Sequence, residues 1–201
     1  MDPSEAGQPP VWRLFVAIEL PDAVHRRVAE VVSRLAGVGW RAKWVNPAGV
    51  HVTLKFYGNV AVGRLDELGA ALSAAVAGRA PFALRVDGPG VFPSPRRPRV
   101  IWLGLEGELD ALSSLARDVE RVSAPLGFAP EERPFRPHIT VARVRPEQQA
   151  TISGLEDQFA RLAALPPIPF RVDHLTLMRS QLRRDGPIYT AVRRIELDVR
   201  A

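Results

Sequence analysis

His51-Val52-Thr53-Leu54-Lys55-Phe56 decides the reading of this chain, because His138-Ile139-Thr140-Val141-Ala142-Arg143 repeats its polar start 87 positions later. Successive side chains of a strand point to opposite faces. Strict alternation therefore puts His51, Thr53 and Lys55 on one face and Val52, Leu54 and Phe56 on the other. In the second copy His138 and Thr140 share a face. Arg143 then points away from them unless the strand ends or bulges.

Working outward, the same offset carries Ile18 to Leu105, Glu19 to Glu106, Val28 to Leu115, Leu35 to Val122 and Pro47 to Pro134. It also carries Leu65, Leu68, Leu72 and Ala75 to Ile152, Leu155, Phe159 and Leu162. Apolar matches at helical spacing arise easily, so the polar and proline identities carry the weight. Residues 12–20 read as a strand, and Val24, Val28, Val31, Val32 and Leu35 as one helix stripe. A strand near 41–45, the His-x-Thr strand, a helix through Leu65 and Val76 and a strand at 82–87 complete the first unit. Residues 188–199 read as a closing strand without a partner in its own unit, corresponding to the opening strands. The expectation is an α+β fold of two pseudo-symmetric lobes, each an antiparallel sheet with helices packed outside, and an active-site groove between them. Residues 1–10 form a disordered tail. Residues 11–201 form a single bilobal domain, with the repeat at about 12–98 and 99–186 and the closing strand at 187–199.

The 201 residues carry 27 basic and 22 acidic side chains, a net charge of +5, and no cysteine. Disulfides, thiolate metal sites and a cysteine nucleophile are thereby excluded, and a cytoplasmic protein is the simplest expectation. No run approaches the ~18 apolar residues of a membrane span. Lys43 and Lys55 are the only lysines. The arginine excess suits phosphate and base recognition, or it reflects a GC-rich coding sequence.

Two imidazoles and two hydroxyls in one groove supply what opening a cyclic phosphodiester requires: a base for water, an acid for the leaving oxygen and donors for the phosphoryl oxygens. An ordinary imidazole pKa near 6.5 lets either ring serve on either side of that exchange. Symmetry alone leaves open which is acid and which is base. Nothing in the sequence has the spacing of a metal site, a P-loop or a Gly-x-Ser-x-Gly nucleophile, so no metal and no cofactor is expected.

Trp44-Val-Asn-Pro47 ahead of the first motif, Phe135-Arg-Pro137 ahead of the second, Val91-Phe-Pro93, Val100-Ile-Trp102, and the late Ser180 with Gly186-Pro-Ile-Tyr189 complete a pattern. Across about residues 12–199 it resembles the 2H phosphoesterases, specifically the RNA 2′,3′-cyclic phosphodiesterases, also called 2′-5′ RNA ligases. The resemblance implies hydrolysis of cyclic RNA ends to 2′-phosphomonoesters, with possible reverse ligation. It implies His51 as proton donor to the leaving 3′ oxygen, His138 as acceptor of a proton from water, and Thr53 and Thr140 as holders of phosphoryl oxygens. Without it, both threonines could be β-branched residues that merely suit strands. Further substrate contacts are expected at Arg143, Lys55, Ser180 and Tyr189, although Lys55, whose repeat counterpart is Ala142, could equally be a surface charge.

His174-Leu-Thr176 matches the short pattern a third time but falls outside the repeat register, and reads as a decoy. His25 flanks a helix face and is assigned no role. The loop at 93–99 and the pairs Arg183, Arg184 and Arg193, Arg194 could extend an RNA-contacting surface. The expected partner is RNA with a 2′,3′-cyclic end, bound by a monomer with no membrane association. The competing readings are a 2H enzyme acting on a small cyclic nucleotide phosphate and a non-catalytic RNA-binding module.

Overall fold

The computed structural model describes residues 10–183 and 186–197. Residues 1–9 of the expected tail, Arg184, and residues 198–199 of the expected closing strand lie outside the described residues. Along the chain the elements are β1 (Val11–Glu19), α1 (Asp22–Gly37), β2 (Lys43–Trp44), β3 (His51–Ala61), α2 (Leu65–Val76), β4 (Phe82–Ser94), β5 (Arg97–Gly107), α3 (Leu109–Ser123), β6 (Ile139–Arg143), α4 (Leu155–Ala163), β7 (Ile168–Val172), β8 (His174–Arg183) and β9 (Gly186–Glu196). The strands form two antiparallel sheets, ordered β3-β1-β8-β9 and β2-β6-β5-β4-β7. This is the α+β, two-sheet architecture expected.

The helices follow from their apolar stripes. Val24, Val28, Val31 and Leu35 are the buried residues of α1, and Leu112, Leu115, Ala116 and Val119 bury the matching face of α3. Such a stripe must be covered by another element. The covering is reciprocal: α1 follows a strand of the first sheet yet packs on β6, whereas α3 follows a strand of the second and packs on β3. The α2 helix packs against β9 and α3, and α4 against β4. One continuous core therefore joins the sheets.

Strand pairing departs from the sequence units. β4, read as the end of the first unit, pairs with β5 and β7 in the second sheet. β8 and β9 return to the first sheet, where β8 pairs with β1. The closing strand is therefore no counterpart of the opening strands. It is the edge partner of its neighbour β8, a short connection with little closure cost.

A second departure lies within the His-x-Thr strands. In the β1–β3 register Val16 faces Lys55 and Ala17 faces Thr53, so Leu54 is an extra residue. In β5–β6 Ile101 faces Ala142 and Trp102 faces Thr140, so Val141 is extra. The two bulges occupy equivalent repeat positions. Each reverses the alternation that follows it. Lys55, assigned by strict alternation to the face of His51, instead turns to the helix side and is 1% exposed. Its ammonium donates to Glu120 at 2.6 Å and to the Ala129 carbonyl at 2.8 Å. It is not a groove residue, which corrects the expected substrate contact.

A buried ammonium is tolerated only while paired, and breaking such a pair costs about 3–5 kcal/mol when it strands a buried charge. Glu120→Gln is therefore expected to destabilise the protein by about that amount. Lys55→Met should cost less, because it strands only the partly exposed Glu120. Urea unfolding of the two variants checks the order.

Candidate active site

Phe15 and Ala17 of β1 and Met178 of β8 bury a small cluster on the face of the first sheet opposite the main core, with Tyr189 of β9 packed against it. His51 lies on this cluster. Its ring centroid is 4.7 Å from Phe15 and 5.0 Å from Tyr189, the latter edge-on at 88°. The second sheet repeats the design around His138, with Phe92 of β4 edge-on at 5.2 Å and 89° and Trp102 of β5 at 6.5 Å. Phe15 and Trp102 occupy the same repeat position.

Both imidazoles are tethered alike. Nδ1 of His51 lies 2.9 Å from the Gly49 carbonyl, and Nδ1 of His138 lies 2.8 Å from the Arg136 carbonyl. A carbonyl can only accept, so each Nδ1 carries a proton and each Nε2 remains for other chemistry. The tether has a local origin: Asn46 accepts from the Ala48 amide to start a short turn at Pro47–Gly49, which aims the Gly49 carbonyl at the ring two residues on.

The rings also sense one another. Burial lowers the pKa of His51, the Gly49 bond partly restores it, and positive charge on His138 lowers it further. Burial likewise lowers His138, the Arg136 bond opposes this, and the Arg143 guanidinium adds to the lowering. The charge of His138 thus reaches His51 where β3 approaches β6. The bulge at Val141 brings Arg143 round to the face of Thr140, the reversal that strict alternation forbids. Its charge also depresses Tyr189 on the opposite sheet, against the rise caused by burial, and Arg13 acts the same way. The Arg143 charge therefore reaches groups on both sheets.

Thr53 and Thr140 are half-buried, two residues beyond their histidines. Ser180 pairs with Tyr189 across β8–β9. Phe56, the repeat counterpart of Arg143, is 51% exposed beside Phe15 at 5.8 Å. Strict alternation put Phe56 on the face away from His51, which the bulge reverses, and nothing in the sequence assigned a role to Phe15 or to the Phe92 and Trp102 of the Val-Phe-Pro and Val-Ile-Trp stretches. The repeat offset linking Phe15 to Trp102 was the signal available.

The third motif is closed on itself. Nδ1 of His174 contacts Asp173 at 2.5 Å and its Nε2 lies 3.3 Å from Glu19, while buried Thr176 donates to Glu19 at 2.6 Å. Among the described residues, Asp173, His174 and Glu196 place potential metal-ligand atoms within 4.8 Å of one another. That group includes neither His51 nor His138, and Arg194 pairs with its two carboxylates. His25 lies 3.8 Å from Asp22 on the surface of α1. No helix among the described residues is long and apolar enough to cross a membrane.

The family model of the 2′-5′ RNA ligase superfamily matches residues 20–184. The chain belongs to that superfamily. A relative in the superfamily from Methanothermobacter thermautotrophicus, named RNA 2′,3′-cyclic phosphodiesterase, is 34% identical over 178 residues, covering 89% of this chain and 95% of its own. One of the same name from Aquifex aeolicus is 31% identical, covering 90% and 95%. Among solved structures, a Thermus thermophilus protein superposes with a TM-score of 0.73 at 30% identity, covering 92% of this chain and 97% of that one. Escherichia coli LigT complexed with 3′-AMP superposes at 0.72 with 26% identity, covering 94% and 99%.

Removing the Arg143 cation relieves one of the influences that keep His138 unprotonated. In Arg143→Ala the His138 pKa is expected to rise towards 6.5, checked by following the imidazole Cε1 proton by NMR across pH 4–8.

Proposed function

We propose that this protein hydrolyses RNA 2′,3′-cyclic phosphate ends to 2′-phosphomonoesters by two-histidine acid–base catalysis. The observation that carries the reading is the pair of imidazoles, each tied through Nδ1 to a carbonyl two residues upstream and leaving Nε2 to a shared groove. With the cyclic phosphate between them, His138 Nε2 takes a proton from water as the water oxygen attacks phosphorus. The P–O3′ bond breaks, and protonated His51 Nε2 delivers its proton to O3′. The products are a 3′-hydroxyl and a 2′-phosphate, and the two rings exchange protonation states.

The assignment of His51 as acid and His138 as base follows the family pattern. Two rings that repel each other's charge hold one proton between them over a range of pH. Arg143 disfavours that proton on His138, while burial and the charge of His138 disfavour it on His51, so the surroundings alone leave the order of the two rings open. Thr53, Thr140 and the Arg143 guanidinium then serve the phosphoryl oxygens, the last by charge-assisted bonding. Tyr189 and Ser180 line the groove beside His51. Residues 11–201 act as one bilobal domain, since both sheets draw strands from both repeats. In this reading the protein is a cytoplasmic monomer that requires no metal.

The test is incubation of an oligoribonucleotide bearing a 2′,3′-cyclic end with the protein and a chelator. A 2′-phosphate product is expected, and a 3′-phosphate or a strict metal requirement would overturn the mechanism. His51→Ala and His138→Ala should each lower kcat by ~10²–10⁴-fold. Retained RNA binding without any turnover by the unaltered protein would make it a binding module instead.

A second reading, a mononucleotide cyclic phosphate as substrate, draws on the 3′-AMP complex of the related LigT. A kcat/KM for nucleoside 2′,3′-cyclic phosphate equal to that for the oligonucleotide would favour it.

A further inference from the structure

His138 stands at the end of a long irregular segment. From Ala129 to His138 the chain has no regular secondary structure, and β6 starts only at Ile139. The Arg136 carbonyl fixes one ring nitrogen, but a single bond leaves the ring free to swing about it. What limits the swing is an aromatic wall from the neighbouring strands. Phe92 meets the imidazole edge-on at 5.2 Å, Trp102 backs Phe92 at 5.0 Å and 35°, and Trp102 itself lies 6.5 Å from the imidazole.

The indole keeps its place because of what faces it across the sheet. Gly90 is the cross-strand partner of Trp102. A Cβ built on Gly90 would lie 2.1 Å from the indole Cη2 and Cζ2, so even alanine would have to displace the ring. Gly90 has no positive φ, so close approach, not backbone conformation, demands glycine here. The indole Nε1–H is buried and finds no acceptor among the described residues. Burying such a donor unpaired costs about 1–3 kcal/mol, so the seat is not one chosen for the indole's own hydrogen bonding.

Resting on the reading that His138 is the catalytic base, we propose that Trp102 and Gly90 are positioning residues for His138. The indole packs against Gly90 where a Cβ would stand and, with Phe92, forms the wall that holds the imidazole in line with the phosphate. Neither touches the reacting atoms. They act by restricting His138, and misplacement of a reacting group by about 1 Å costs ~10²-fold in rate.

Gly90→Ala tests this without altering either histidine or the indole. In the folded variant, kcat is expected to fall about tenfold to a hundredfold, with KM changed less than about threefold. The His138 Cε1 resonance should shift while that of His51 stays in place. The double variant Gly90→Ala/Trp102→Phe should recover part of the lost kcat, because the smaller ring makes room for the methyl. An unchanged kcat, or equal shifts at both histidines, would overturn the proposal. If Gly90→Ala does not fold, Trp102→Leu supplies the same readouts with the same expectations. The catalytic reading fails separately: full turnover by His138→Ala would remove it, whereas a selective His138 shift in Gly90→Ala would still establish the positioning.

Discussion

The site depends on one constraint of strand geometry, the bulge that interrupts β3 after Thr53 and β6 after Thr140. Before each bulge, regular alternation presents an imidazole and a hydroxyl to the groove. After it, the face is inverted, so the lysine of one strand enters the core and the arginine of the other enters the groove. An unbroken β3 would thrust a second cation into the groove and leave Glu120 unpaired. An unbroken β6 would point Arg143 away from the histidine it acts on. The chemistry of the groove is thus set by two extra residues, Leu54 and Val141, that never face it.

That duplicated backbone carries side chains that are not duplicated. Phe15 is matched by Trp102, Tyr189 stands to His51 as Phe92 stands to His138, and Phe56 is matched by Arg143. The scaffold is close to twofold symmetric, but its electrostatics are polar, with the guanidinium nearer one imidazole in effect than the other. Identical tethering gives both rings the same tautomer. Their surroundings differ in cause: beyond burial, the charge of His138 lowers the pKa of His51, and that of Arg143 lowers the pKa of His138.

Much of this was legible in the sequence, and the limits have physical reasons. The repeat offset located both histidines, both threonines, the amphipathic helices and the two-sheet class, because periodicity reports which face of an element is apolar. It does not report which sheet a strand joins, so β4 reads as part of the first unit and the closing strand β9 as a counterpart of the opening strands, neither of which the pairing bears out. The bulges left no trace either. Leu54-Lys55 and Val141-Ala142 contain no glycine, and only pairing with β1 and β5 creates the mismatch. Lys55 was accordingly misplaced, while Arg143 needed the very irregularity that the sequence could not supply. The role of the aromatic wall was not legible for another reason: Phe92 and Trp102 stand in the Val-Phe-Pro and Val-Ile-Trp stretches, but only the β4–β5 pairing and the approach of His138 bring them together.

The return of β8 and β9 to the first sheet reaches into how the chain acquires its form. β1 must wait for a hairpin more than 150 residues downstream before its second edge is covered, and pairing over such a separation is slow to close. The aromatic flank of His51 is thus tied to the slowest pairing in the fold, since Tyr189 reaches the imidazole only when β8 has brought β9 alongside.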